Sequence, residues 1–109
     1  MATTYKVLGQ SNPSATTNTT LYTCPASTQT VISTITICNQ AGTSGTYRIA
    51  IRPNGATISP EHYIVYDASV PANSTTAYTL GMTIDASDVV TVYASSANIS
   101  FNAFGSEIA

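Results

Sequence analysis

The residues of this chain that could carry out acid–base or nucleophilic chemistry are few and widely spaced. The single histidine, His62, directly follows Glu61, and we place it at the start of a predicted strand, where neighbouring side chains point to opposite faces. Glu61 is therefore not expected to orient the imidazole of His62, as a hydrolase would require. Because neither cysteine lies in a nucleophile motif, the sequence predicts no enzyme and no catalytic residue.

Paired carboxylates offer a second route to hydrolysis or to a metal site. Asp85 and Asp88 are the closest acidic pair in the sequence, and we expect them to accept hydrogen bonds from backbone amides in a loop. A weak calcium site is the alternative, although the segment lacks the ligand density of a dedicated calcium loop. The one His and two Cys residues are too few and too far apart for zinc. No Gly-rich phosphate loop is present, so we predict neither metal nor cofactor.

Charged residues make up only 7% of the chain, whereas about 25% is typical of soluble proteins. Their place is taken by nineteen Thr and thirteen Ser. Because net charge keeps free monomers apart, this composition favours a protein that is packed against neighbours, although a secreted domain can also tolerate a neutral surface. The net charge of −2 and the three basic residues argue against nucleic-acid binding.

No apolar run approaches the length of about 18 residues that indicates a membrane span. The segment 1–8 lacks a basic region and a long apolar stretch, so we expect no signal peptide and synthesis in a cytoplasm. In a hairpin, Cys38 would lie on the order of 26 Å from Cys24, far beyond the roughly 7 Å that a disulfide spans. We therefore predict two free thiols, both buried.

The elements that must position these residues are all β. Thr, Val, Ile and Tyr dominate, and short runs of them alternate with clusters of Gly, Pro, Asn and Ser. We predict one domain over residues 1–109, an all-β single β-sandwich of about eight strands with jelly-roll-like order. The predicted strands cover residues 5–8, 19–24, 29–39, 46–52, 62–68, 75–82, 89–94 and 99–104.

The alternation of apolar and polar residues predicts which side chains face the core. In strand 46–52, the side chains of Arg48 and Arg52 are expected to point outward, with an ion pair to an acidic neighbour as their expected use. The residues expected to point inward are Tyr47, Ile49 and Ile51. Two further apolar sets are each expected to share one face of their strand: Val31, Ile35 and Ile37, and then Tyr78, Leu80 and Met82.

Strand 62–68 is apolar on both faces, with Tyr63, Ile64, Val65 and Tyr66 in succession. A strand of this kind is either central in its sheet or covered by a neighbouring subunit.

Four runs of the sequence carry a family resemblance: Ala2-Thr3-Thr4-Tyr5-Lys6-Val7-Leu8-Gly9-Gln10, Leu21-Tyr22-Thr23-Cys24-Pro25-Ala26 leading into Val31-Ile32-Ser33-Thr34-Ile35, Glu61-His62-Tyr63-Ile64, and Ser100-Phe101-Asn102-Ala103-Phe104-Gly105. Together they resemble small virion structural proteins of tailed phages, particularly phages that infect marine cyanobacteria. The resemblance covers nearly the whole chain, but its motifs are strand ends and turns rather than chemical signatures. Cys24 and Cys38 stand where Val or another small hydrophobe is expected.

The resemblance implies a place in the virion, most often as a capsid decoration or cement protein that sits at symmetry axes or between capsomers. Its partners would be the major capsid protein or other virion proteins. Closed local symmetry implies a homo-oligomer, either a dimer or a trimer. Contacts to two capsomers at once would add avidity to individually modest interactions.

Two alternatives to decoration stay open. Within the virion, a tail, neck or fibre-associated component also uses small β modules. Outside it, a carbohydrate-binding module would present an exposed row of Tyr on one sheet face.

Two segments supply candidate subunit contacts. Tyr63, Val65 and Tyr66 belong to the strand that is apolar on both faces. Tyr5 and Val7 belong to the segment 2–8, which could add to the sheet edge of a neighbour. The alternative is that both segments are part of the intramolecular core.

Overall fold

The structure is a computed structural model that describes residues 2–109, and it consists of β-strands, turns and two short 3-10 turns, Pro53–Gly55 and Pro60–His62. Within these residues no helix is long and apolar enough to cross a membrane. The strands are β1 (Thr3–Ser11), β2 (Thr19–Thr23), β3 (Gln29–Asn39), β4 (Gly45–Arg52), β5 (Tyr63–Val70), β6 (Thr75–Tyr78), β7 (Met82–Ile84), β8 (Val89–Ala94) and β9 (Ile99–Ile108).

The strands form two antiparallel sheets, which confirms the all-β prediction. In sheet A the order is β1–β9–β3–β6, and β7 also pairs with β3; in sheet B the order is β2–β8–β4–β5. Both sheets contribute to one hydrophobic core. The order leaves β1 at one edge of sheet A, and β2 and β5 at the two edges of sheet B.

Three aromatic rings connect the two sheets within the core. Tyr47 of sheet B meets Phe101 of sheet A edge to face, with 6.3 Å between the ring centroids. The hydroxyl of Tyr47 lies 2.6 Å from that of Tyr78. Burial, and then this hydrogen bond, raise the pKa of Tyr47. The hydroxyl therefore stays neutral, and its polar atom is satisfied inside the core.

Strands β3 and β8 have the predicted bounds, whereas β1 and β9 are longer than predicted. The extra residues at their ends are mostly polar or Gly. They are strand because β1 and β9 pair from Thr3 opposite Ile108 to Ser11 opposite Phe101, with one register shift between Val7 and Gly9. The predicted strand 75–82 is divided into β6 and β7. Gly81, with φ of 64°, marks this break. Leu80 beside it is 55% exposed whereas Tyr78 and Met82 pack against the core, so the prediction that the three share one side is wrong.

A bulge in β3 changes the predicted face of one residue. The register between β3 and β9 shifts between Ile32 and Thr34, which inserts one extra residue and reverses the alternation. As a result Ile32, Ile35 and Ile37 are fully buried, while Val31 is half-buried on the outer side. The prediction that Val31 shares a face with Ile35 is therefore wrong.

The packing at Gly105 yields a test of the β9–β3 contact. A Cβ atom at Gly105 would lie 1.9 Å from the carbonyl oxygen of Val31, so Gly105→Ala must displace backbone. We expect it to lower the free energy of unfolding by about 3 kcal/mol or more, measured by urea denaturation.

The matched control is Gly42→Ala, because nothing lies within 4 Å of a Cβ at Gly42. We expect this variant to change stability by less than about 1 kcal/mol. Equal stability of the two variants would contradict the described β9–β3 packing.

Candidate interaction surfaces

The histidine is used to close a turn. Nδ1 of His62 accepts a hydrogen bond from the backbone N–H of Ser59 at 3.1 Å, and its Nε2 lies 3.9 Å from a carboxylate oxygen of Glu61. The expectation that Glu61 and His62 point to opposite faces of a strand is wrong, because β5 begins only at Tyr63 and both residues lie in the turn Pro60–His62. The prediction that His62 is not catalytic stays a prediction.

The carboxylates of Asp85 and Asp88 accept hydrogen bonds from backbone amides, which confirms the loop interpretation. Asp88 accepts from the N–H groups of Asp85 and Asn54, each at 2.8 Å, and Asp85 accepts from Ala86 at 2.8 Å. Among residues 2–109, no three His, Cys, Asp or Glu side chains come together as a metal site would need.

Both cysteines are free thiols, as predicted. Cys24 is buried, and its Sγ lies 3.2 Å from the hydroxyl of Thr30. Cys38 is only half-buried, which corrects the expectation that both are buried. The cause is its place on β3, where the inward positions on either side belong to Ile37 and Asn39.

The outer face of sheet A carries an exposed apolar patch, which we call the β1 patch: Tyr5 and Val7 of β1 with Phe104 of β9. These side chains are 84%, 48% and 37% exposed, and Val7 lies directly opposite Phe104 in the register. A shallow groove of about 380 Å³ runs between Tyr5, Phe104 and Val31. Exposed aromatics grouped in this way are typical of contact surfaces.

The same outer face is free of charge within the described residues. Lys6 and Glu107 are the only charged residues in the strands of sheet A. They lie on the other side of the sheet from Tyr5 and Phe104, because side chains alternate along each strand. Nζ of Lys6 is 3.2 Å from Oε1 of Glu107.

Glu107 also reaches across to sheet B, in what we call the Glu107 clasp. Its Oε2 accepts a hydrogen bond from the hydroxyl of Tyr22 at 2.5 Å, and that hydroxyl lies 2.8 Å from Oγ1 of Thr30. The Tyr22 hydrogen bond, followed by Lys6, lowers the pKa of Glu107 against the opposing effect of desolvation. The clasp therefore joins β1, β2, β3 and β9 near the free edge of β1.

A second exposed surface lies on the outer face of sheet B. The guanidinium of Arg48 sits 4.2 Å from the ring centroid of Tyr66 and 4.1 Å from that of Tyr93. Its Nε donates to Asp67 at 2.6 Å, and this hydrogen bond lowers the pKa of the Asp67 carboxyl. The predicted ion pair of Arg48 is confirmed. Arg52 instead donates to the hydroxyl of Thr91 at 3.0 Å.

The candidate contacts on β5 are divided by their faces. Val65 packs against the core, and Tyr63 is half-buried, whereas Tyr66 is 59% exposed and Ile64 is 46% exposed. Tyr63 and Tyr66 line a groove of about 550 Å³ together with Pro60. Because β5 is one of the two edge strands of sheet B, the alternative that it is central is wrong.

Sequence reasoning proposed Tyr5, Val7 and Tyr66 but missed three residues of these surfaces: Phe104, Arg48 in its aromatic setting, and Tyr93. The sequence predicts only that Phe104 lies in a strand, and its exposure depends on which strands flank β9. The pairing of Arg48 with Tyr93 follows from the β4–β8 register, in which they are direct partners. No family model matches the chain, and no curated protein or solved structure matches it significantly.

The Glu107 clasp predicts how stability depends on pH. Because the pKa of Glu107 is lower in the folded chain than in the unfolded chain, its contribution is present above the unfolded value of about 4.3 and is lost as pH falls through the folded value. Acid titration of the unfolding free energy should therefore be steeper for the wild type than for Glu107→Gln.

Tyr22→Phe removes the first donor to Glu107 and should flatten the same acid titration. The double variant should add little to either single change, because both act on one hydrogen bond. Additive effects would contradict the clasp.

Proposed function

We propose that this chain is a structural protein of a phage virion and acts as a capsid decoration protein. The observation that carries the proposal is the uncharged outer face of sheet A with the exposed β1 patch at its edge. A surface that is apolar at one point and neutral elsewhere is suited to burial against other proteins. The low charge of the whole chain supports the same use.

We further infer a jelly-roll β-sandwich. If β6 and β7 are counted as one interrupted strand, the eight strands are ordered 1–8–3–6 in sheet A and 2–7–4–5 in sheet B. This order has the first and last strands paired and supports two interlocked Greek keys. Jelly rolls recur in viral capsid and lectin domains, which agrees with a virion protein but does not select it over a lectin.

The proposed mechanism is cementing between capsomers. The molecule is elongated, with extents of 45 × 28 × 20 Å, and its two exposed aromatic surfaces lie on the outer faces of different sheets. Contacts made through both surfaces would link two neighbouring proteins and combine their affinities. The major capsid protein is the proposed partner, and the virion, assembled in the host cytoplasm, is the proposed location.

Immunogold labelling of intact virions, viewed by electron microscopy, tests this proposal. An antibody against the chain should label the whole head, because a decoration protein at symmetry axes or between capsomers is spread over the capsid surface. Label confined to the tail or neck would contradict decoration and favour a tail, neck or fibre-associated component. The control is preimmune serum on the same virions.

A second candidate function is carbohydrate binding, and the groove beside Tyr66 favours it. Tyr rings, the Arg48 guanidinium and the Asp67 carboxylate lie together on the outer face of sheet B. Apolar rings with a few polar groups are typical of small-ligand grooves.

Under this candidate, Tyr66→Ala should abolish retention of the chain on a polysaccharide column. Tyr5→Ala serves as the matched control, because Tyr5 is the other strongly exposed Tyr and lies on sheet A. Absence of any retention of the wild type, or equal retention of both variants, would contradict carbohydrate binding in this groove.

A further inference from the structure

The four sheet edges differ in how well they are protected against pairing with another chain. Strand β2 has five residues and a register shift, and the edge formed by β6 and β7 is interrupted. Strand β5 carries a bulge in which Asp67 has a φ of 53°. Bulges, breaks and short length are the usual protections of an edge. Strand β1 has nine residues; it carries Lys6 and one register shift, between Val7 and Gly9, but its register is unbroken from Thr3 to Val7.

The hydrogen-bond pattern shows which backbone groups of β1 face the free edge. Ala2 and Ala109 exchange both backbone hydrogen bonds, at 2.8 and 2.9 Å, so they form a hydrogen-bonded pair. Such pairs alternate along an antiparallel ladder. Thr4 and Lys6 are therefore bonded to β9, and the N–H and C=O groups of Thr3, Tyr5 and Val7 point away from it.

We propose that two copies of this chain pair antiparallel through β1, about a two-fold axis with Tyr5 opposite Tyr5. The edge is self-complementary in this register, since each copy offers the outward groups of Thr3, Tyr5 and Val7. Tyr5 pairs with Tyr5 and Thr3 pairs with Val7 on both sides of the axis, which gives about six main-chain hydrogen bonds. The inference rests on the proposed function only in treating the β1 patch as an assembly contact.

Charge disfavours one of the two neighbouring registers. A shift that places Tyr5 opposite Val7 also forms hydrogen-bonded pairs, but it sets Lys6 directly opposite Lys6, where like charges are destabilising. In the proposed register Lys6 faces Thr4, and each Lys6 keeps its ion pair with Glu107. The self-pairing of Tyr5 places two aromatic rings side by side across the axis.

The dimer has a direct consequence for the outer surface. A two-fold axis perpendicular to the sheet keeps both copies of sheet A facing the same way. The two β1 patches then join into one continuous aromatic surface, centred on Tyr5 and flanked by Phe104 of each copy. That combined surface, rather than the single patch, is the one offered to the capsid.

Sedimentation equilibrium of the purified chain tests the dimer. We expect twice the monomer mass of 11.3 kDa, and we expect Tyr5→Lys to raise the dimer dissociation constant about tenfold or more. The Tyr5→Lys substitution should weaken the dimer because it places two like-charged ammonium groups next to each other at the two-fold axis. Ile64→Lys is the matched control, an exposed apolar residue of edge strand β5, and should leave the mass unchanged.

A second variant tests the backbone itself. The N–H of Tyr5 points to the free edge, so Tyr5→Pro removes donors from the dimer while leaving the β1–β9 ladder intact. It should give a monomer that unfolds cooperatively in circular dichroism. A wild type that is monomeric, or a dimer that survives both Tyr5 variants, would overturn the inference.

Register is checked by isotope-filtered nuclear magnetic resonance on mixed dimers. Thr4 and Lys6 of opposite copies form a non-hydrogen-bonded pair, in which the Cα atoms approach most closely, so an intermolecular contact between their Hα atoms is expected. A Lys6–Lys6 contact would contradict the proposed register.

The mass measurement does not involve the virion, so the dimer and the proposed function can fail separately. If the purified chain is a monomer but the antibody labels virion heads, only the dimer is overturned. If the chain is a dimer but is absent from virions, only the proposed function is overturned.

Discussion

The pairing of β9 with both β1 and β3 is the interaction on which the rest of the molecule depends. β9 supplies Ile99, Phe101 and Ala103 to the core, and Gly105 allows the backbone of β3 to approach closely. Past that point, Glu107 reaches Tyr22 of sheet B. Strand β9 thus pairs with two neighbours in sheet A, contributes side chains to the core and forms a hydrogen bond to sheet B.

The same pairing leaves β1 with a single neighbour. Because β9 satisfies only the alternate backbone groups of β1, those of Thr3, Tyr5 and Val7 are left toward solvent. The adjacent outer face has no charged side chain among the described residues, because alternation places Lys6 on the opposite side, where it pairs with Glu107. A free edge beside a neutral aromatic face is a feature that soluble monomers usually avoid, and this connects the fold to the proposed assembly.

The fold class and the bounds of β3 and β8 could be predicted from the sequence, because in both places a run rich in Val, Ile and Thr is bounded by turn residues. The bulge after Ile32 has no Gly or Pro to mark it, so Val31 was placed on the wrong face. The edge position of β5 could not be derived, because strand order depends on long-range pairing rather than on local pattern. For the interaction surfaces, Tyr5 and Tyr66 could be proposed as contact residues because they are aromatic residues in predicted strands. The pairing of Arg48 with Tyr93 could not, because it depends on the register between β4 and β8.

The free edge of β1 is expected to become paired when the protein assembles. Hydrogen exchange of single amides, compared between the dilute chain and the assembled state, is the measurement that reports this pairing. The amides of Tyr5 and Val7 should exchange rapidly in the dilute chain and become protected on assembly, while those of Thr4 and Lys6 are protected in both states. Rapid exchange of Tyr5 and Val7 in the assembled state would show that the edge of β1 stays unpaired.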